Sequence, residues 1–153
     1  MAALVDTNVL VYRFDTRFPD KQAVATDWLR RAIAEDGARI PHQALVEFVA
    51  VVTRAPAGRP ALLSQADAVR EAEELLAQFP VLYPTQDVFR LALRGMATYQ
   101  LGWFDAHIWA YAEHFGLSEL WTEDFQDGRL YGTVRAVNPF AAIASLPTPG
   151  SGT

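Results

Sequence analysis

The chain has 153 residues, which is enough for one domain with a substantial hydrophobic core. Hydrophobic residues make up 51% of the chain and charged residues 20%, a balance that excludes an intrinsically disordered protein. The absence of cysteine excludes disulfides and thiolate metal sites, and the net charge of −5 argues against a general nucleic-acid coat.

The N-terminus enters a predicted strand without the basic and apolar regions of a signal peptide. No stretch approaches the roughly 20 uninterrupted apolar residues that a membrane span needs. We therefore expect a cytoplasmic protein that does not contact the membrane.

The first predicted element is a short apolar strand over residues 2–5, followed at once by helix-starting side chains in Asp6, Thr7 and Asn8. A helix is predicted from Pro19 to about residue 35, with Gly37 as its stop. The other predicted elements are, in chain order, a strand at 39–41, a helix over 42–54, a loop over 55–60, a helix from 64 to about 79, a strand at 81–83, helices over 86–99 and 104–115, and strands at 119–121 and 134–137.

This alternation of short strands and helices predicts an α/β fold built on a parallel sheet. Residues 1–140 form a single domain in this interpretation, with no repeat and no interdomain linker. Residues 141–153 are rich in small residues and proline, and we expect a disordered C-terminal tail there.

Four carboxylates each interrupt an apolar stretch. Asp6 ends the first strand, and Glu47 and Asp105 lie within apolar helical patterns. Asp124 follows the strand at 119–121, with Asp127 three residues further on. Ligands bind beyond the carboxyl ends of parallel strands, which is where Asp6 and Asp124 are predicted to lie.

Most of these carboxylates also have a simpler explanation. Asp105 is a candidate helix N-cap, Asp124 and Asp127 are candidate turn residues, and Glu47 is a candidate for an exposed helix stripe. Asp6 fits neither a turn nor a surface. One explanation covers all of them: oxygen ligands without cysteine suit Mg²⁺ or Mn²⁺.

Five segments of the chain carry a family resemblance. They are LVDTNVLVY, ALVEFVAVVTR, WFDAHIWAYA, LWTEDFQDGRLYG and VNPF. In this order, over residues 3–140, they resemble the PIN-domain ribonucleases, specifically the VapC-like toxins of type II (VapBC) toxin–antitoxin systems. The resemblance implies a three-layer α/β/α fold, similar to the Rossmann fold, around a short central parallel sheet.

By this resemblance the protein is a Mg²⁺-dependent endoribonuclease, with Mn²⁺ able to substitute. The implied partners are RNA as substrate, a cognate antitoxin protein and a second copy of the chain in a homodimer. The implied metal-binding and catalytic residues are Asp6, Glu47, Asp105 and Asp124, with Asp127 as an auxiliary ligand and with Asn8 and Thr122 orienting the ligands.

Two other classes of function remain open on the sequence. A phosphatase of the haloacid dehalogenase type also begins with a strand-end aspartate, but it needs a second aspartate two residues later, where this chain has Asn8. A non-catalytic domain that binds RNA or protein is the other alternative, although it has no reason to keep all four carboxylates.

The remaining candidates concern metal ligands and RNA contacts. The histidines at 42, 107 and 114 lack the spacing of a zinc site. Trp103 and Phe104 could stack on an RNA base, although core packing is expected for at least one of them. No spacing distinguishes Arg13, Arg17, Arg54 or Arg59 as a phosphate contact.

Overall fold

The structure is a computed structural model, and it describes residues 2–144. The strands are β1 (Ala3–Val5), β2 (Ala38–Pro41), β3 (Val81–Leu82), β4 (Glu119–Trp121), β5 (Leu130–Tyr131) and β6 (Val134–Val137). The helices are α1 (Thr7–Tyr12), α2 (Pro19–Glu35), α3 (His42–Val52), α4 (Gln65–Gln78), α5 (Gln86–Tyr99), α6 (Trp103–His114) and α7 (Ala141–Ala144).

The strands form one sheet in the order β3-β2-β1-β4-β6-β5. All neighbouring strands are parallel except β5 and β6, which form an antiparallel hairpin at one edge. The predicted α/β fold with a central parallel sheet is therefore confirmed, with one correction. Strand β5 was not predicted, because it is only two residues long and carries no readable alternation.

Helices cover both faces of the sheet. Successive residues of a strand point to opposite faces, so neighbouring residues of β1 pack against different helices. Val5 packs with α1 to α4, whereas Leu4 packs with α5 and α6. The two hydrophobic clusters define three layers, with the sheet in the middle.

Helices α5 and α6 pack closely because Gly95 faces Trp109. A Cβ atom at Gly95 would lie 2.5 Å from two carbon atoms of the indole ring. The Trp109 Nε1 donates a hydrogen bond to the Tyr131 carbonyl at 2.9 Å, which ties α6 to β5. Helix α6 is thereby held against the sheet at Trp109.

Three boundary predictions need correction. Helix α2 ends through a left-handed residue at Asp36 (φ 51°) and not at Gly37. Helix α6 begins at Trp103 with Gly102 as its N-cap, so Asp105 lies inside the first turn and is not a cap. Residues Ala141–Ala144 form the short helix α7 and not a disordered tail; the rest of the predicted tail lies outside the described residues.

Among the helices of residues 2–144, none is both long enough and apolar enough to cross a lipid bilayer.

Candidate active site

Asp6 lies at the carboxyl edge of the sheet, directly after β1. Strands β1 and β4 are neighbours, with Val5 opposite Trp121, so the residues that follow them also meet. The Thr122 hydroxyl donates to Asp6 Oδ2 at 2.8 Å, and the Thr7 amide donates to Asp6 Oδ1 at 2.7 Å. Asp6 is the N-cap of α1 and is only 4% exposed.

Asp105 and Asp124 approach Asp6 from two other elements. Asp105 belongs to the first turn of α6, and Asp124 follows Thr122 in the loop after β4. One carboxylate oxygen from each of the three aspartates lies within 4.8 Å of the others. The three aspartates are called the acidic cluster below.

Asn8 and Thr122 contact the acidic cluster, as the resemblance implies. Asn8 Nδ2 donates to Asp124 Oδ2 at 3.1 Å and lies 3.4 Å from both Asp6 Oδ2 and Thr122 Oγ1. The Asp124 amide donates to Thr122 Oγ1 at 3.0 Å. A single hydroxyl therefore positions two of the carboxylates.

Glu47 lines the same cavity but lies outside the cluster of three. The Thr7 hydroxyl donates to its Oε2 at 2.7 Å, and Gln43 Nε2 donates to its Oε1 at 2.8 Å. Sequence analysis did not identify these two partners. Gln43 was detectable, since residues four apart share a helix face, whereas the contact of Thr7 with Glu47 spans 40 residues.

The structure does not bring Asp127 to the cluster. Its Oδ1 accepts a hydrogen bond from the Asn138 amide at 2.8 Å, and its side chain is exposed. The spacing from Asp124 would place both on one side of a helix, but this segment is a loop. Asp127 therefore closes the loop through this hydrogen bond, and its role as an auxiliary metal ligand stays a prediction.

The negative charges of the cluster's carboxylates repel one another. Burial raises the pKa of Asp6 to about 7. The negative charges of Asp124 and Asp105 also raise this pKa, whereas the hydrogen bonds from Thr122 and Thr7 lower it. Burial also raises the pKa values of Asp105 and Asp124. The charge of Glu47 contributes to both increases.

Within residues 2–144, no basic side chain forms an ion pair with the three aspartates. Three converging oxygen ligands without a cationic partner fit a hard divalent cation, which would relieve their repulsion. The residues present therefore suit a metal site.

The acidic cluster opens into a cavity of about 310 Å³. One wall carries Glu123, which accepts from the Tyr12 hydroxyl at 2.7 Å and from Lys21 Nζ at 3.0 Å. The sequence has no motif that marks this network. Lys21, the only lysine of the chain, pairs with Glu123, and the charge of Glu123 also contributes to the raised pKa of Asp124.

Among the aromatic and histidine candidates, only Phe104 has a side chain that lines the cavity and is largely exposed to solvent. Phe104 lines the cavity and is 68% exposed, whereas Trp103 packs against Phe89 and His107. Core packing for one of the two aromatic residues is thus confirmed. His42 stacks on a tyrosine ring and His114 contacts Phe115, so no histidine joins the described metal cluster.

The fold and the site define a class: a three-layer α/β domain with carboxylates converging at the carboxyl edge of a mostly parallel sheet. The PIN domain family profile matches residues 3–129, and the chain belongs to that family. This assignment removes the phosphatase alternative. No curated protein matches the chain by sequence.

Solved structures with the same fold include toxin–antitoxin proteins. A toxin–antitoxin complex from Klebsiella pneumoniae is 22% identical, with 90% of this chain and 98% of that chain covered and a TM-score of 0.63. VapBC2 from Rickettsia felis, bound to a DNA fragment from its promoter, is 13% identical over 89% and 97%, with a TM-score of 0.65. The sarcin–ricin loop cleaving toxin VapC20 from Mycobacterium tuberculosis is 18% identical over 80% and 90%, with a TM-score of 0.58.

Proposed function

We propose that this protein is a Mg²⁺-dependent endoribonuclease and the toxin component of a type II toxin–antitoxin module in the cytoplasm. The acidic cluster carries this proposal, because three aspartates from separate elements converge in one cavity and form no ion pair with a basic side chain of residues 2–144. PIN-fold relatives that are toxins, one of which cleaves the sarcin–ricin loop, support the RNA substrate.

The proposed metal ligands are Asp6, Asp105 and Asp124, with Glu47 binding directly or through water. A bound Mg²⁺ or Mn²⁺ ion would lower the pKa of a coordinated water and stabilise charge on the scissile phosphate. Hydrogen bonds from Thr122, Thr7 and Asn8 orient the ligands. Those from Thr122 and Thr7 partly oppose the rise in the pKa of Asp6, and the one from Asn8 does the same for Asp124. Hydrolysis by water needs no protein nucleophile, in agreement with the absence of cysteine and of a serine–histidine arrangement at the site.

The proposed protein partners are an antitoxin that blocks this cavity and a second copy of the toxin. Helix α5 supports the second of these, because Phe89, Leu93 and Met96 recur on one face and are 49%, 44% and 39% exposed. Val46 and Phe104 add exposed apolar area on α3 and α6. Surfaces of this kind are typical of protein–protein contacts.

Incubation of the purified protein with total cellular RNA and Mg²⁺ tests the proposed activity. Mapping of new RNA ends by sequencing should reveal defined cleavage positions that disappear in EDTA and return with Mn²⁺. Cleavage that persists in excess EDTA would contradict metal dependence. RNA binding without any new ends would favour the non-catalytic alternative.

A further inference from the structure

A second cavity, of about 390 Å³, continues from the acidic cavity. The two share Val11, Arg17 and Val51 in their walls. The second cavity extends to the loop after α3 and carries two more arginines, Arg54 and Arg59. We call it the arginine groove, after Arg17, Arg54 and Arg59.

Two of these arginines, Arg54 and Arg59, differ from the arginines that pair with an aspartate on their own helix. Arg31, Arg70 and Arg90 each pair with an aspartate three or four residues away on their own helix. In the part of the chain that the structure describes, Arg54 and Arg59 form no ion pair. The hydrogen bond from Arg17 and the charge of Arg59 both lower the pKa of the Asp15 carboxylate, so two of the groove's three guanidinium groups act on one buried carboxylate.

Arg17 is held at the junction of the two cavities by Asp15. Its Nε donates to Asp15 Oδ1 at 2.9 Å and its Nη2 donates to Oδ2 at 2.7 Å, in a bidentate pair. Asp15 is only 3% exposed, whereas the Arg17 side chain is 42% exposed. The buried carboxylate therefore orients the guanidinium and leaves its outer N–H groups accessible to a ligand.

The loop after α3 presents Arg59 in a defined position. The Arg59 amide donates to the Pro56 carbonyl at 3.0 Å, and Gly58 between them has φ +77°, which favours glycine. Prolines at 56 and 60 restrict the backbone on both sides. The sequence alone assigns no role to this loop, but the structure makes it one wall of the groove.

We propose that the arginine groove binds the phosphodiester backbone of RNA next to the cleavage position, and that Asp15 is a positioning residue for Arg17. This inference rests on the proposed function. A polyanion suits three arginines by charge, and RNA is favoured over an acidic polypeptide because the groove continues into the acidic cluster. An RNA strand bound for cleavage at the cluster extends on both sides of the scissile phosphate, and the groove adjoins the cluster's cavity on one of these sides.

Fluorescence anisotropy with a labelled pool of random 12-nucleotide single-stranded RNAs in Ca²⁺ tests the groove at several KCl concentrations. Single substitutions R54M and R59M, both on exposed side chains, should weaken binding about tenfold. Each should lower the slope of log affinity against log salt by about 0.7, the value for one lost contact to single-stranded RNA. R13M is the matched control, since Arg13 lies in a separate cavity and pairs with Glu71; it should change neither value.

The role of Asp15 is tested by the salt dependence of RNA binding in variants of Asp15 and Arg17. Asp15→Asn should lower the salt slope as Arg17→Met does, and the double variant should lose no more than either single variant. A purely structural Asp15 would lower the melting temperature and leave the slope unchanged, which would overturn the positioning role.

Other outcomes separate this inference from the proposed function. RNA cleavage by the parent protein with unchanged binding in R54M and R59M would overturn the groove alone. Arginine-dependent RNA binding without cleavage would support the groove and contradict the nuclease. Equal arginine-dependent binding of a polyglutamate peptide of the same charge would mark a protein-binding surface and overturn the choice of RNA.

Discussion

At the scale of single residues, Asp6 combines deep burial with three polar contacts and two neighbouring negative charges. With a pKa of about 7, Asp6 of the metal-free site is about half protonated at neutral pH. A cation must displace that proton, so we expect metal affinity to increase as the pH rises through about 7. The same property links the site to the stability of the fold.

The first prediction concerns stability without metal. Because the folded pKa of Asp6 exceeds the unfolded value of 3.8, the folded state binds the proton more tightly, and stability is lost as the pH rises from about 4 to about 7. At about 1.4 kcal/mol per unit, this loss is about 4 kcal/mol at most. Urea denaturation in EDTA should therefore show a smaller drop from pH 5 to pH 8 in Asp6→Asn than in the parent.

Asp127→Asn is the control, since Asp127 is exposed and lies outside the acidic cluster. It should keep the parent's pH dependence. Identical pH profiles for the parent and Asp6→Asn would show that Asp6 ionises normally in the folded protein.

The second prediction concerns Asp105. Mg²⁺ should raise the melting temperature of the parent, because the ion binds only the assembled site. Asp105→Asn should melt at or above the parent temperature without metal, since one repelling charge is gone, and should respond to Mg²⁺ much less. Calorimetry across a Mg²⁺ titration measures both effects; equal shifts in the two proteins would remove Asp105 from the ligand set.

At the scale of elements, the site exists because parallel strands β1 and β4 end at the same level. Thr122 joins the two strand ends through its hydroxyl, which donates to Asp6 and accepts from the Asp124 amide. Helix α6 adds Asp105 from its first turn, and α3 adds Glu47. Four elements thus have to be in register before the carboxylates converge.

The third prediction tests this connection. Thr122→Val keeps the shape of the side chain but removes the hydroxyl, so the acidic cluster loses its shared contact. We expect a loss of about 10- to 100-fold in metal affinity, measured by calorimetric titration. Thr122→Ser keeps the hydroxyl and should stay close to the parent, and a similar loss in both variants would point to packing instead of hydrogen bonding.

Local sequence patterns predicted most helices and strands but not the features that depend on distant contacts. Helix α5 was predicted with its observed ends, because Thr85 caps it and its apolar periodicity is regular. Strand β5 was missed because pairing with β6 defines it, and Asp36 was missed as the end of α2 because Gly37 is the better local candidate. The backbone conformation of a single turn residue depends on the structure of the chain on both sides of it.

In the candidate site too, the sequence predicted what local patterns determine and not what distant contacts determine. Asp6 was identifiable because nothing local explains a carboxylate at the end of an apolar strand. Asp127 was named as an auxiliary ligand by the family resemblance alone, and the structure does not place it among the three converging aspartates. The Lys21–Glu123 contact and the arginine groove bring together residues far apart in the chain, and no pattern in one sequence records such proximity.

At the scale of the whole molecule, two faces have separate roles in our account. The carboxyl edge of the sheet carries the acidic cavity and the arginine groove. Helix α5 carries the exposed apolar stripe that we assign to a second copy of the chain. The two proposals therefore predict that substitutions in the arginine groove change RNA binding but not self-association, and that substitutions on the α5 stripe do the reverse.

The most direct test of the account compares Asp6→Asn with Asp127→Asn on an RNA that the parent cleaves. Single-turnover cleavage is measured with saturating Mg²⁺, after circular dichroism has shown both variants to be folded. We predict that Asp6→Asn loses cleavage and that Asp127→Asn cuts at the parent's rate. Cleavage by Asp6→Asn at the parent's rate would contradict the assignment of the acidic cluster as the catalytic metal site.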